Sequence, residues 1–265
     1  MPIVIEGQRP LVGEVQVGGA KNAALPIMAA TLLTPDECWL ENVPYIEDIR
    51  NMMRVLHHLG VAARFEGPNC LRIKATRISK SYISKKLAEK MRASFLVAGP
   101  LLARFGQAEA PLPVGRAIGN RPEILGLAGF QAMGGVITSG EEGYTIKAPR
   151  LKAQRLILDY PSHTGTENLL MAACLAEGTT IIENASVEPE VTDLASFLCA
   201  MGARISGAGT SVIQVEGTHR LHGAAYRVMP DRMEAGTFAL GALITGGDVT
   251  MDGAVAPYLS ALTSK

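Results

Sequence analysis

Lys21 and Asn22 stand at the end of a glycine-rich turn, VGGAKN, and directly before an apolar run, AALPIMAATLL. That order predicts a helix whose first turn combines a cation with free backbone amides. The positive end of the helix dipole and those N–H groups attract anions, phosphate above all. A solvated lysine beside an ordinary helix start fits the bare residues as well. Arg92, in KMRAS, also opens a helix, either as a surface arginine or as a rigid fork for a carboxylate or phosphate. Arg121–Leu125 (RPEIL) and Pro161–Thr164 (PSHT, with Gly165 next) read as loop-to-helix entries marked by Pro122 and Pro161. Ser162 and Thr164 bring hydroxyls, and His163 suits a loop. Asp231 and Arg232 sit together in MPDR, able to touch a ligand or to pair with each other.

Behind these residues lies a repeat, the strongest organising signal in the chain. IVIEGQRPLVGEVQV (Ile3–Val17) lines up with IQVEGTHRLHGAAYRV (Ile213–Val228), each a strand, a Glu-Gly turn and a second strand. A small-residue helix follows both, Ala23–Leu33 and Ala235–Ile244, and Arg92–Gly106 and Thr166–Gly178 fit the same slot. A second type of helix recurs three times and closes on Gly60, Gly134 and Gly202, as a C-terminal cap does. Short strands come next, at Cys70–Lys74, Tyr144–Lys147 and Val212–Val215. The unit is therefore β-α-β-α-β-β, about 70 residues long. One unit alone is too thin to bury its helices. Three complete units are expected to close around a pseudo-threefold axis, helices inside and sheets outside, with a fourth begun near Ile213.

The 265 residues are 48% hydrophobic and 19% charged with zero net charge, the profile of a globular enzyme. Nothing points to nucleic acid or a membrane as partner, and no apolar run reaches the length of a membrane span. The first residues lack the pattern of a signal peptide. Cys38, Cys70, Cys174 and Cys199 form no CxxC pair and read as reduced thiols of a cytoplasmic protein, with no metal implied.

The wording GGAKNAALPI, MRASFLVAGPLLARFGQ, AIGNRP, CLAEGTTIIENA and YRVMPDRMEAGTF resembles the enolpyruvyl transferases, in particular the branch whose acceptor is UDP-N-acetylglucosamine. The resemblance runs over the whole chain. It implies an α/β fold, the inside-out α/β barrel, with residues 22–229 as a complete three-repeat domain. Residues 1–21 and 230–265 would be incomplete portions of a second three-repeat domain, expected to lack partners and to leave self-association open. It implies transfer of the enolpyruvyl group of phosphoenolpyruvate to the 3-hydroxyl of UDP-N-acetylglucosamine, the first committed step of peptidoglycan synthesis, without a cofactor. Carried over by position, it gives Lys21 a catalytic and phosphoenolpyruvate-binding role, puts Asn22 on phosphoenolpyruvate and sets Arg92 on an anionic substrate group. Arg121, Pro122, Glu123, Ile124 and Leu125, with Pro161, Ser162, His163, Thr164 and Gly165, would grip the uridine nucleotide.

One segment departs from the family. Where its members carry a loop Pro-Gly-Gly-Cys or Pro-Gly-Gly-Asp, whose last residue donates a proton, this chain reads Pro113-Val114-Gly115-Arg116. A guanidinium stays protonated and makes a poor acid, though Arg116 can hold a phosphate. The alternative expectation is thus a non-catalytic nucleotide-sugar binding homologue or an inactive gene fragment, and a chain that alone is inactive or weak.

Overall fold

The structure is a computed structural model that describes residues 4, 7, 9–88, 91–111, 122–140 and 143–265, with backbone only at 85, 92, 110–111 and 122–125. Strand β1 (Val12–Gln16) comes first. The first unit follows as α1 (Lys21–Ala30), β2 (Glu37–Glu41), α2 (Glu47–His58), β3 (Ala62–Phe65) and β4 (Leu71–Lys74). After a single turn, α3 (Lys85–Ala88), the second unit opens with a 3₁₀ turn (Arg92–Val97) that runs into α4 (Ala98–Phe105). It continues through β5 (Gln107–Pro111), α5 (Pro122–Ala132), β6 (Val136–Ser139) and β7 (Gly143–Lys147). The third comprises β8 (Arg155–Ile157), α6 (His163–Ala173), β9 (Thr179–Glu183), α7 (Pro189–Ala200), β10 (Arg204–Ser206) and β11 (Val212–Glu216). The chain then adds β12 (Ala225–Arg227), α8 (Arg232–Thr245), β13 (Asp248–Asp252), a 3₁₀ turn (Ala256–Leu259) and α9 (Ser260–Thr263).

Three sheets repeat one plan. Their orders are β12-β2-β4-β3, β8-β9-β11-β10 and β5-β7-β6, the last flanked by a parallel bridge from Tyr82 to Glu109 in place of a fourth strand. In each sheet a parallel strand lies beside an antiparallel trio, and one of the small-residue helices follows directly from the first parallel segment or its bridge. Residues alternate between buried and exposed along β2, β9 and β11, so each of these sheets has one wet and one dry face. The dry faces cover the helices. Ala23 to Leu33, Ala98 to Leu102 and Gly165 to Cys174 are buried throughout, which places the three apolar helices in the interior as the repeat requires. Each buried Leu, Ile, Met or Phe there adds about 1.5–3 kcal/mol over an exposed one.

Two recurring residues now have a physical cause. Gly60, Gly134 and Gly202 have φ of 93°, 97° and 98°, the left-handed conformation that closes a helix. The Glu-Asn tag recurs because Asn42 and Asn184 also take positive φ, 59° and 54°. From that position their side-chain amides donate to Val228 O at 3.0 Å and Leu158 O at 2.8 Å, the residues just beyond the parallel strands β12 and β8.

Several boundaries differ from expectation. The helix expected over Arg92–Gly106 is a 3₁₀ turn up to Val97, because Pro100 has no N–H to return to Leu96. The helix expected from Thr166 begins at His163, since Ser162 caps it earlier. The segment after Pro230, expected to lack partners, leaves Leu240, Leu243 and Ile244 of α8 exposed, but its strand finds a partner at the other end of the chain. β13 pairs in parallel with β1 from Val12↔Asp248 to Gln16↔Asp252. The aligned strands β1 and β12 have therefore exchanged places: β12 precedes α8 but pairs with β2, and β1 precedes α1 but pairs with β13. Among the described residues no helix is long and apolar enough to cross a membrane.

Candidate active site

The exchange of β1 and β12 makes two chain segments cross, and the crossing sets where α1 begins. Ala20 N donates to Met229 O at 2.8 Å and Asp231 N to Gly18 O at 2.8 Å, with a bridge between Gly19 and Pro230. Gly19 is obligatory here: a Cβ on it would lie 1.6 Å from the carbonyl oxygen of Asn42. The crossing is tied down from both sides, by Glu234 Oε2 accepting from Gly18 N at 2.7 Å and by Asp193 Oδ2 accepting from Met229 N at 3.2 Å.

At the head of α1, Ala20 is extended and supplies no side-chain cap, and no acid sits in the first turn. Lys21 N reaches only a long contact with Asp231 Oδ2, 3.4 Å. That long contact is a weak hold, so the opening amides of the helix stay available to a stronger acceptor such as phosphate. Lys21 Nζ lies 3.0 Å from Asp48 Oδ2 at the start of α2. Both side chains are about two-fifths exposed, so the pair contributes at most about 1 kcal/mol and a substrate anion can replace it. Asn22 is exposed beside it.

The start of α6 lies across the same cluster. Ser162 is buried and its Oγ accepts from Gly165 N at 3.1 Å, so its oxygen is committed to the cap. His163 Nδ1 lies 3.4 Å from Glu167 Oε2, and His163 Nε2 lies 4.0 Å from Glu188 Oε2. Burial, reinforced by Glu190 and Glu188, raises the Glu167 carboxyl well above the usual carboxylate range. Burial also lowers the His163 imidazole, against the opposing pull of Glu188 and Glu190. Both directions work against an ion pair at this contact. Among the described residues His163 Nε2 and Glu167 Oε1 are buried without a partner.

Arg232 connects this cluster to the crossing. Its Nε donates to Glu190 Oε1 at 2.9 Å, and its Nη2 donates to Glu188 Oε2 at 2.9 Å and Glu190 Oε2 at 3.1 Å. Asp231 instead caps α8, accepting from Met233 N at 2.8 Å and Glu234 N at 3.2 Å. The two neighbours therefore serve different partners rather than each other. His163, Glu188 and Glu190 offer ligand atoms within 4.8 Å of one another, but a divalent cation would have to displace the guanidinium that bridges both carboxylates.

The crossing residues link the two helix heads, Asp231 touching Lys21 N and Arg232 reaching His163 by way of Glu188, while Asn22 adjoins Lys21 and Ser162 and Thr164 flank His163. Pro161 is exposed at the mouth of α6. Arg92 begins its 3₁₀ turn packed beside α1, but its side chain lies outside the described residues, as do those of Pro122, Glu123, Ile124 and Leu125 at the head of α5. Arg116 and Arg121 lie outside the described residues altogether. The acids Glu167, Glu188, Glu190 and Asp193 were not singled out by their sequence. The available signal was a pair of polar residues inside an apolar helix, TENLL, and three acids in the first turns of another, EPEVTD.

Comparison with known proteins gives three findings. The sequence profile of the family described as EPSP synthase (3-phosphoshikimate 1-carboxyvinyltransferase) matches residues 5–263. A UDP-N-acetylglucosamine 1-carboxyvinyltransferase of Magnetococcus marinus is 48% identical over 264 residues, 99% of this chain and 63% of the relative. Two solved structures share the fold at 21% identity. The enolpyruvyl transferase NikO from Streptomyces tendae matches with a TM-score of 0.77 over 88% of this chain and 55% of its own. An EPSP synthase from Acinetobacter baumannii matches with a TM-score of 0.72 over 93% and 56%. The chain thus spans under two thirds of the length of these relatives, and the fold it shares with the two structures is the inside-out α/β barrel.

Proposed function

The chain belongs to the EPSP synthase family of carboxyvinyl transferases, and on that premise we propose that it transfers the enolpyruvyl group of phosphoenolpyruvate to the 3-hydroxyl of UDP-N-acetylglucosamine. The observation that carries this reading is the weakly occupied head of α1, where only a 3.4 Å contact from Asp231 reaches the first amide and Lys21 is held by an exchangeable pair with Asp48. In this reading the amides of the first turn, Lys21 and Asn22 hold the phosphate of phosphoenolpyruvate, with Arg92 and Arg116 supplying further positive charge. Charge developing on the phosphate and carboxylate as the acceptor oxygen adds to C2 is met by groups already in place. The segment Pro161–Gly165 holds the uridine nucleotide, with the 48% identical relative supporting that choice of acceptor. Residues 22–229 form the three-unit domain, and β1 with the elements after Pro230 contributes to a second body across the crossing. The reaction is placed in the cytoplasm, at the first committed step of peptidoglycan synthesis.

Arg116 in the position of the loop acid favours a second reading, in which the chain binds the nucleotide sugar without turning it over. One assay separates the two. Phosphate release from phosphoenolpyruvate is measured on this chain and on the chain joined to the remaining portion of the Magnetococcus relative. Release by the joined protein that requires UDP-N-acetylglucosamine and disappears in Lys21→Gln supports transfer. Binding of UDP-N-acetylglucosamine with no release by either protein supports the second reading and sinks the first.

A further inference from the structure

The heads of α1 and α6 are linked at the candidate active site through Asp231, Arg232 and Glu188. Their tails meet elsewhere, roughly 20 Å away at 1.5–2 Å of rise per residue. There the ends of all three interior helices, at Leu33, Arg104 and Leu175, line an open basin of about 730 Å³. That volume lies in the range of small-molecule sites. The loops after β7 and β11 complete the wall with Arg150, His219 and Arg220, so its lining holds three arginines and a histidine against one carboxylate, Glu177.

We propose that this basin binds a small polyanion, a phosphorylated molecule with two or more negative charges, at a site separate from the candidate active site. Arg104 is its fixed element. Its Nη1 donates to Leu32 O at 2.8 Å and to Thr34 O and Ala75 O at 2.9 Å, and its guanidinium stacks on Phe105 at 4.7 Å. Those bonds hold the fork in one orientation, while among the described residues its Nε and Nη2 take no hydrogen-bond partner. They also satisfy the carbonyls at the tail of the first unit's helix, whose partial negative charge would otherwise oppose an anion. At the tails of the other two helices Leu102 O accepts from Gly106 N and Cys174 O from Thr218 N. Among the described residues Arg104 has no carboxylate in ion-pair contact; burial disfavours its charge, only partly offset by the field of Asp36, so a bound anion would favour it further.

The other two arginines are held loosely. Arg150 lies 3.7 Å from Glu177 and Arg220 lies 3.2 Å from Asp36, with both arginines more than half exposed. Such pairs are worth at most about 1 kcal/mol, so phosphate oxygens can exchange for the carboxylates. One planar fork fixed in place and two mobile cations around it match a ligand with more than one anionic group better than a monocarboxylate.

The test is calorimetric titration of inorganic pyrophosphate into the chain at low salt, on wild type, on the double variant Arg150→Gln/Arg220→Gln and on Lys21→Gln. Both arginines are exposed, so the double variant is expected to fold, which its thermal transition checks. The expected result is a saturable site whose affinity falls at least fivefold in the double variant and holds in Lys21→Gln. Absence of saturable binding, a smaller fall, or loss of the site in Lys21→Gln alone overturns the proposal. Because neither substrate is used, the outcome is independent of whether enolpyruvyl transfer occurs.

Discussion

Replacing Glu167 with glutamine tests the electrostatics of the cluster at the head of α6. Glu167 is 1% exposed, beside His163, and burial with the field of Glu190 and Glu188 raises its carboxyl well above the usual carboxylate range. An acid whose folded pKa lies above its unfolded value loses its proton first in the unfolded chain. Wild-type stability therefore falls as pH rises from the unfolded value of about 4.3, at up to about 1.4 kcal/mol per pH unit, and levels off above the folded pKa. Glutamine has no proton to lose, so Glu167→Gln lacks this dependence. The imidazole of His163 is common to both proteins and cancels in the comparison to first order. An amide left without a partner adds an offset that does not change with pH. For a chain of this size each kcal/mol moves the melting temperature by about 2–4 °C. The melting temperature of Glu167→Gln minus that of wild type should thus rise by up to about 3–6 °C per pH unit from pH 5 upwards until it levels off. Scanning fluorimetry at four values from pH 5 to 8 measures it. A difference that is most negative near pH 6 and shrinks towards pH 8 would mean that Glu167 is an anion paired with a charged His163, and would refute the reasoning.

Arg232→Met leaves Glu190, 1% exposed, without its guanidinium and is expected to cost about 3 kcal/mol in urea denaturation; a loss under 1 kcal/mol would show that the cluster does not depend on the pair. Ser162→Ala removes the cap of α6 and should lower stability by about 1 kcal/mol, a shift of about 2–4 °C in melting temperature. Gly19→Ala drives a methyl into Asn42 O, so the crossing must open; limited proteolysis should cut it near residues 17–20 faster than in wild type, and an unchanged cleavage pattern would contradict the close approach.

The repeat was legible because each copy must solve the same problem. A small-residue helix has to enter a crowded axis, and the closing glycine and the Glu-Asn tag have to turn the chain at the same places. Gly60, Gly134 and Gly202 were therefore readable from the sequence, as were the interior positions of α1, α4 and α6. The exchange of β1 and β12 was not legible in the repeat, because aligned strands have equal claims on a sheet edge; only the family resemblance grouped residues 1–21 with residues 230–265. The site was legible in part. Lys21 and Asn22 announce themselves at a glycine turn before an apolar helix. Glu190 looks like any acid in the first turn of a helix, and only its burial against Arg232, 42 residues away, gives it a role.

The central claim is that the heads of α1 and α6 together form the substrate site. Its most direct test is a titration of the ¹⁵N-labelled chain with phosphoenolpyruvate and UDP-N-acetylglucosamine, followed by amide chemical shifts. Phosphoenolpyruvate is expected to move the amides of Asn22 and Ala23, and to lose that effect in Lys21→Gln, while the nucleotide sugar moves those of Ser162 to Gly165. Shifts confined to other surfaces, or none at these residues with millimolar ligand, would contradict the account.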